Sequence, residues 1–174
     1  MSAAYYGRIA PLAVPPECGA QAADWTLHAQ GHWQWLGAAV YHLRLWAGPG
    51  FIWADYLRQP FVLALDFERR LAPGVLAERV LAEMRHQGRF SQAQAQSWLH
   101  TLHGALEPAA APLRLSAQHD GEGELRFARD GVFAGVVQDA DFTRLFLGIW
   151  FHETSTMASW QMTQPTSSEA HPWP

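Results

Sequence analysis

The chain has 174 residues, 49% of them hydrophobic and only 16% charged, which suits one compact domain with a sizeable core. Its 12 basic residues are all arginine against 16 acidic ones, for a net charge of −4; with no lysine, a Schiff-base or phosphate-loop lysine is excluded, and scattered arginines under a negative balance argue against a nucleic-acid surface. Cys18 is the single cysteine, so intrachain disulfides and cysteine metal clusters are excluded as well.

Residues 1–24 are rich in Ala, Pro and Gly without a sustained period, which predicts an extended, loosely packed arm. The start of the chain has no charged lead followed by an apolar run, and no segment reaches the roughly 18 apolar residues of a membrane span, so as written the protein is expected in the cytoplasm. From Leu27 to Trp35 the residues alternate. Leu27, Ala29, Gly31, Trp33 and Trp35 share one face, and His28, Gln30, His32 and Gln34 share the other, the pattern of an antiparallel strand with one face in water. Gly37 supplies a bend or bulge, after which Ala39, Tyr41, Leu43 and Leu45 continue the inward face until Gly48-Pro49-Gly50 breaks the strand. Residues 51–58 suit a helical turn or an irregular edge, and periodicity does not choose between them. Phe61 to Phe67 is the next strand.

A helix from about Val75 to His86 carries the apolar stripe Leu76, Val80, Leu81 and Met84 and stops at Gly88. Ser91 caps a second helix through about Leu106, with Trp98, Leu99, Leu102 and Leu106 as its buried side. Pro108 to Pro112 reads as a linker. Leu113 to Gln118 and Glu124 to Arg129 read as a hairpin, followed by a strand from Val132 to Val137. Asp139 then caps a last helix through Phe151, with Phe142, Leu145, Phe146 and Ile149 inward. Residues 156–174 form a Ser/Thr/Pro-rich tail whose last ten residues are expected to be disordered. Strands, two helices, three strands and a helix predict an α+β domain, an antiparallel sheet with its helices on one side.

Three blocks carry a further signal: Leu27 to Trp46 with the landmarks Val40-Tyr41 and Leu45-Trp46, Pro60 to Leu65 followed by Phe67, and Asp130 to Phe151 ending in Gly148-Ile149-Trp150. In this order and spacing they resemble the chalcone isomerase-like family in its bacterial branch, over residues 25–155. The resemblance implies an open-faced sandwich, a large sheet covered by helices on one side only, with a ligand cleft between the layers. It also implies an export signal in many bacterial members, hence a periplasmic location if one has been removed. A further helix is implied near the end of the chain, of which Met157 to Gln164 would keep one or two turns.

In the plant enzymes of that family, an arginine on the first long strand polarises the ligand's anionic oxygen. Anchoring on Val40-Tyr41 places Trp33 at that position, and a neutral indole N–H cannot do the work of a guanidinium. The family's helical Tyr and Asn fall on Leu76 and Glu83. No catalytic residue is assigned on this basis. The candidate site is a binding one, with Trp33, Trp35 and Tyr41 as an aromatic wall, Leu76 and Glu83 on the facing helix, and Arg79 as the cation for a carboxylate. The ligand implied is a hydrophobic small molecule such as a fatty acid. Two other readings stay open. One is an isomerase or lyase for an enone or flavonoid-like substrate, with Tyr41 or Glu83 moving protons. The other is a structural or interaction domain whose cleft its own rings fill.

No metal site or cofactor is assigned. His100 and His103 share a helix face but lack a third ligand, and His28 and His32 lie about 13 Å apart along a strand. Asp139 and Asp141 are read as a cap and its dipole complement rather than as an acid/base pair.

Overall fold

A computed structural model describes residues 13–72, 74–106, 114–152 and 159–162. Seven strands form one antiparallel sheet: β1 (Thr26–Trp35), β2 (Ala38–Ala47), β3 (Phe61–Phe67), β4 (Arg114–His119), β5 (Glu124–Arg129), β6 (Val132–Gln138) and β7 (Ser159–Met162). Their spatial order is β6-β5-β4-β3-β2-β1-β7. The helices α1 (Val75–Gln87), α2 (Gln92–Leu106) and α3 (Ala140–Phe151) cover one face, giving the expected open-faced α+β arrangement. The Pro108 to Pro112 linker, the start of the arm and the last ten residues lie outside the described residues. Among the described residues no helix is long and apolar enough to cross a membrane.

The helices form where their caps and stripes place them. At the start of α2 the Ser91 hydroxyl accepts from the Gln94 N–H (3.1 Å) while the Gln94 side chain accepts from the Ser91 N–H (2.9 Å), a reciprocal capping box. Asp139 caps α3 by accepting from the N–H groups of Asp141 and Phe142 with one carboxylate oxygen. Its other oxygen accepts from the indole N–H of Trp98 at 2.9 Å, which locks α2 to the start of α3. Leu76, Val80, Leu81 and Met84 are all buried in α1. Gly88 ends that helix in an extended conformation, not a left-handed one. A Cβ there would stand 3.0 Å from a methyl of Leu145 of α3, which would have to give by a few tenths of an ångström. Residues 51–58, left open above, contain a short 3-10 stretch, Trp53–Arg58, held by the Gln59 side chain bonding to Ile52 and Asp55.

Two irregularities in the β1–β2 ladder change which side chains face inward. Leu27 pairs with Trp46 and Ala29 with Leu45, so His28 is an inserted residue. Leu27 thereby turns to the outer face, contrary to simple alternation, and His28 sets its ring edge-on to Phe51 at 5.4 Å. A second shift, Trp33 opposite Tyr41 but Gln34 opposite Ala39, leaves Val40 as the extra residue. Val40, not the expected Ala39, is the fully buried one. The two strands meet in a two-residue turn, Leu36-Gly37, with φ of 52° and 77°, the positive values that match strand twist in tight hairpins.

The outer face is not simply wetted. The lead-in expected to be loose carries two 3-10 turns, Pro16–Cys18 and Ala20–Ala22. They pack Cys18, Ala22 and Trp25 onto Trp46, Val62 and Ala64. Burial, and then the neighbouring Glu17 charge, pushes the Cys18 thiol up to about 12, which keeps it protonated and unreactive. Glu17 accepts from the Ser116 hydroxyl. Beside this cluster Asp66 bridges two guanidinium groups, Arg44 at 2.6 Å and Arg114 at 2.6 and 3.0 Å.

The end of the chain departs from expectation too. In place of helical turns within Met157 to Gln164, residues Ser159–Met162 run antiparallel along β1, pairing from His32 with Ser159 to Ala29 with Met162. Backbone groups on β1 that would otherwise form an open edge are thus satisfied.

Asp139→Ala should lower stability by about 1–2 kcal/mol, the usual cost of losing a helix cap, and more if the orphaned Trp98 N–H finds no water; a denaturant titration measures it. His119 gives a second expectation. Its ring is fully buried, and desolvation lowers its pKa to about 4 from 6.5, with Asp120 opposing the shift only in part. The unfolded chain then binds the extra proton between those values. Stability should therefore be complete above pH 6.5 and fall by up to about 2–3 kcal/mol as pH drops towards 4, and His119→Gln should flatten that slope.

Candidate ligand site at the sheet and helix interface

The site is built from the middle of the sheet outward. Trp33 of β1 stands directly opposite Tyr41 of β2, their rings 5.4 Å apart, and Tyr41 in turn faces Phe67 of β3 at 5.3 Å. Tyr41 has no exposed surface. From the helical layer, the indole N–H of Trp150 donates to the Tyr41 hydroxyl at 3.2 Å. A buried phenol thus meets the partner its polar end needs.

α1 supplies the remaining wall. Leu76 joins the same apolar core. One turn on, Arg79 and Glu83 form an (i, i+4) ion pair at 2.7 Å, with the carboxylate side chain only 13% exposed and the guanidinium 45% exposed. Both charges act on Tyr41. Burial pushes its phenol well above the ordinary tyrosine range; the Trp150 N–H opposes this, Glu83 reinforces it and Arg79 opposes it. Tyr41 therefore stays protonated at any physiological pH, and it is no base. Periodicity puts Glu83 outside the apolar stripe, yet its side chain is only 13% exposed and is paired with Arg79.

Of the candidate residues, Trp33, Trp35 and Tyr41 form one run of ring contacts and the Arg79–Glu83 pair lies near enough for its charges to act on Tyr41, whereas Leu76 is placed only in the general core. Tyr41 is fully buried and Trp33 partly so. Trp35 stacks on Trp33 at 6.3 Å with nearly parallel planes and leaves about half its surface, 49%, in water. Trp150 and Phe67 both contact Tyr41, and the sequence pattern marks neither as a candidate. Trp150 is visible as the last letter of a landmark, but the last two turns of α3 are apolar on all sides, so no stripe there indicates which way its indole points.

A second aromatic group occupies the other end of the interface. Phe151 stacks on Tyr56 at 4.1 Å and meets Trp53 and Phe61, and Phe61 lies over the His119 ring. His119 accepts from the Gly121 N–H through Nδ1 at 2.6 Å, so its proton sits on Nε2, which is buried without a partner. On the opposite face of the sheet a groove of about 110 Å³ is lined by Gln30, His32, His42, Leu43 and Arg44. His42 is engaged there by Glu68. Among the described residues no group of three metal-ligating side chains converges.

No family model matches the chain, and no curated protein does. Among solved structures it is similar to a fatty-acid binding protein of Arabidopsis thaliana, with 13% identity over 77% of this chain and 83% of that one and a TM-score of 0.59. The fold is of the chalcone isomerase-like kind. At this identity the likeness speaks for the fold alone.

The Trp150 to Tyr41 bond can be isolated by a double-mutant cycle with Tyr41→Phe and Trp150→Phe. The two losses should fail to add by about 0.5–1.5 kcal/mol. Additive losses in urea titrations would mean that the contact contributes nothing to stability.

Proposed function

We propose that this protein is a non-catalytic binder of a hydrophobic small molecule with an anionic head, such as a fatty acid, and that it is a member of the bacterial branch of the chalcone isomerase-like family. The observation that carries the reading is the grading of the site. Aromatic and aliphatic side chains lie deep, and a cation, Arg79, stands half-exposed at the rim over a nearly buried carboxylate. An acyl chain would pack against Trp33, Tyr41 and Leu76, and its carboxylate would exchange with Glu83 for the Arg79 guanidinium. The Arabidopsis fatty-acid binding protein of similar fold supports this ligand class.

Catalysis is disfavoured by the same groups. Trp33 offers no charge to a developing enolate or phenolate, Tyr41 is held protonated, and Glu83 is tied to Arg79. An isomerase or lyase would have to turn over an enone or flavonoid-like substrate with a rate that Tyr41→Phe abolishes. A second reading, an interaction domain with a filled cleft, is favoured by one observation: Tyr41 is already in ring contact with both Trp33 and Phe67.

Native mass spectrometry of the protein purified from a bacterial host, followed by organic extraction, separates these readings. A near-stoichiometric fatty acid is expected. Added fatty acid should raise the melting temperature, since a ligand selective for the folded state must stabilise it, and Arg79→Gln should weaken binding about tenfold. A clean mass and an unmoved melting curve would instead establish the filled cleft.

A further inference from the structure

One end of the sheet carries an arrangement that folding does not explain. At the β1–β2 turn, Leu36 is 92% exposed and holds φ at 52°, a left-handed conformation that costs a leucine about 1 kcal/mol. Its side chain contributes nothing to the core, and Asn or Gly would make the same turn without that cost. The half-exposed Trp35 adjoins it. The register puts three other features at the same end. Tyr41 pairs with Phe67, so the residues after β3, Arg69 and Arg70, emerge there. Leu65 pairs with Leu115 and Leu115 with Arg129, so the β5–β6 turn emerges there too. Just past that turn Val132 is 70% and Phe133 58% exposed.

Arg69 and Arg70 make no ion pair among the described residues. The opposite end of the sheet carries the acidic turn Asp120 to Glu124. This end also carries Glu68, engaged by His42, and Asp130, which accepts from the Arg114 N–H, so its cationic character rests on the exposed Arg70 and the half-buried Arg69; two apolar points project from it, and the acidic turn lies away from it.

We infer that this end docks on an anionic lipid surface, with Leu36 and Val132 entering the acyl boundary, Trp35 at headgroup depth, and Arg69 and Arg70 on the phosphates. Size decides against a protein partner. Two isolated turn tips offer far less than the roughly 800 Å² per partner of a stable protein interface, whereas shallow insertion of a few apolar side chains backed by arginines is what interfacial binding to anionic lipid uses. The inference stands whatever the interior of the protein binds.

The test is co-sedimentation of the full chain with vesicles of phosphatidylcholine, alone or mixed with phosphatidylglycerol, at low and high salt. The wild-type chain should pellet with the mixed vesicles at low salt. Leu36→Asn should weaken that partition about tenfold while holding or raising the melting temperature, because the turn is relieved. Arg70→Gln should reduce the salt dependence. Ile52→Asn removes another exposed apolar side chain, one in the β2–β3 connection at the acidic end, and should change nothing. The proposal is overturned if the wild type stays in the supernatant, if Leu36→Asn pellets as the wild type does, or if Ile52→Asn weakens binding equally. Self-association lost in Leu36→Asn without any vesicle binding would likewise replace it with a protein contact.

Discussion

A helix apolar on all sides can exist in water only if something covers every side of it. The last two turns of α3 are such a stretch: Leu145, Phe146, Leu147, Ile149, Trp150 and Phe151 are all buried, whereas Asp141 and Arg144 nearer its start face water. The rest of the fold answers that requirement. Phe127 of β5 meets Phe142 and Phe146, Tyr41 of β2 takes Trp150, and Phe61 of β3 takes Phe151. α1 closes on it closely enough that a Cβ at Gly88 would press on the Leu145 side chain. The direction in which α3 leaves β6 is set by Asp139, which caps it and binds Trp98 of α2 with the same carboxylate. One side chain thereby fixes the entry of the buried helix and its helical neighbour together.

The two faces of the sheet are stabilised by different physics. Beneath the helices burial is apolar and continuous, and its few polar ends are matched in pairs, as with Tyr41 and Trp150. On the outer face a small aromatic cluster under the N-terminal turns adjoins the Arg44, Asp66 and Arg114 network. Such a partly buried ion network serves register more than net stability, since its desolvation cost offsets much of the attraction. It ties β2, β3 and β4 at one level, and Glu17 with Ser116 ties the lead-in to the same place.

Where a residue's neighbours lie within one or two helical turns, the sequence discloses them. Ser91 and Asp139 read as caps because a cap is a local device, and the stripes of α1 and α2 read as buried because period and burial coincide. Strand parity is more fragile. One inserted residue at His28 and another at Val40 reverse which neighbours face inward, and nothing in the local pattern marks either. β7 is four residues long in a Ser/Thr-rich stretch, too short to show alternation. Of the candidate site, Trp33 and Tyr41 were legible from alternation and family landmarks. Trp150 was not, because its partner lies 109 residues away in sequence. The burial of Glu83 was hidden for a different reason, since periodicity puts it outside the apolar stripe.

The strand order has a consequence for how such a chain is made. Among the described residues β1 is the first strand synthesised, and β7, which covers its free edge, is the last. Every other strand of the sheet and all three helices emerge between them. During synthesis the β1 edge therefore stays unpaired until β7 emerges, even where the helical layer has already closed over the sheet. A nascent chain stalled before Ser159 would present that edge to whatever strand lies nearby, another nascent copy on the same message included. The seven-strand order thus makes the interval before β7 emerges the one in which this sheet is most open to mispairing.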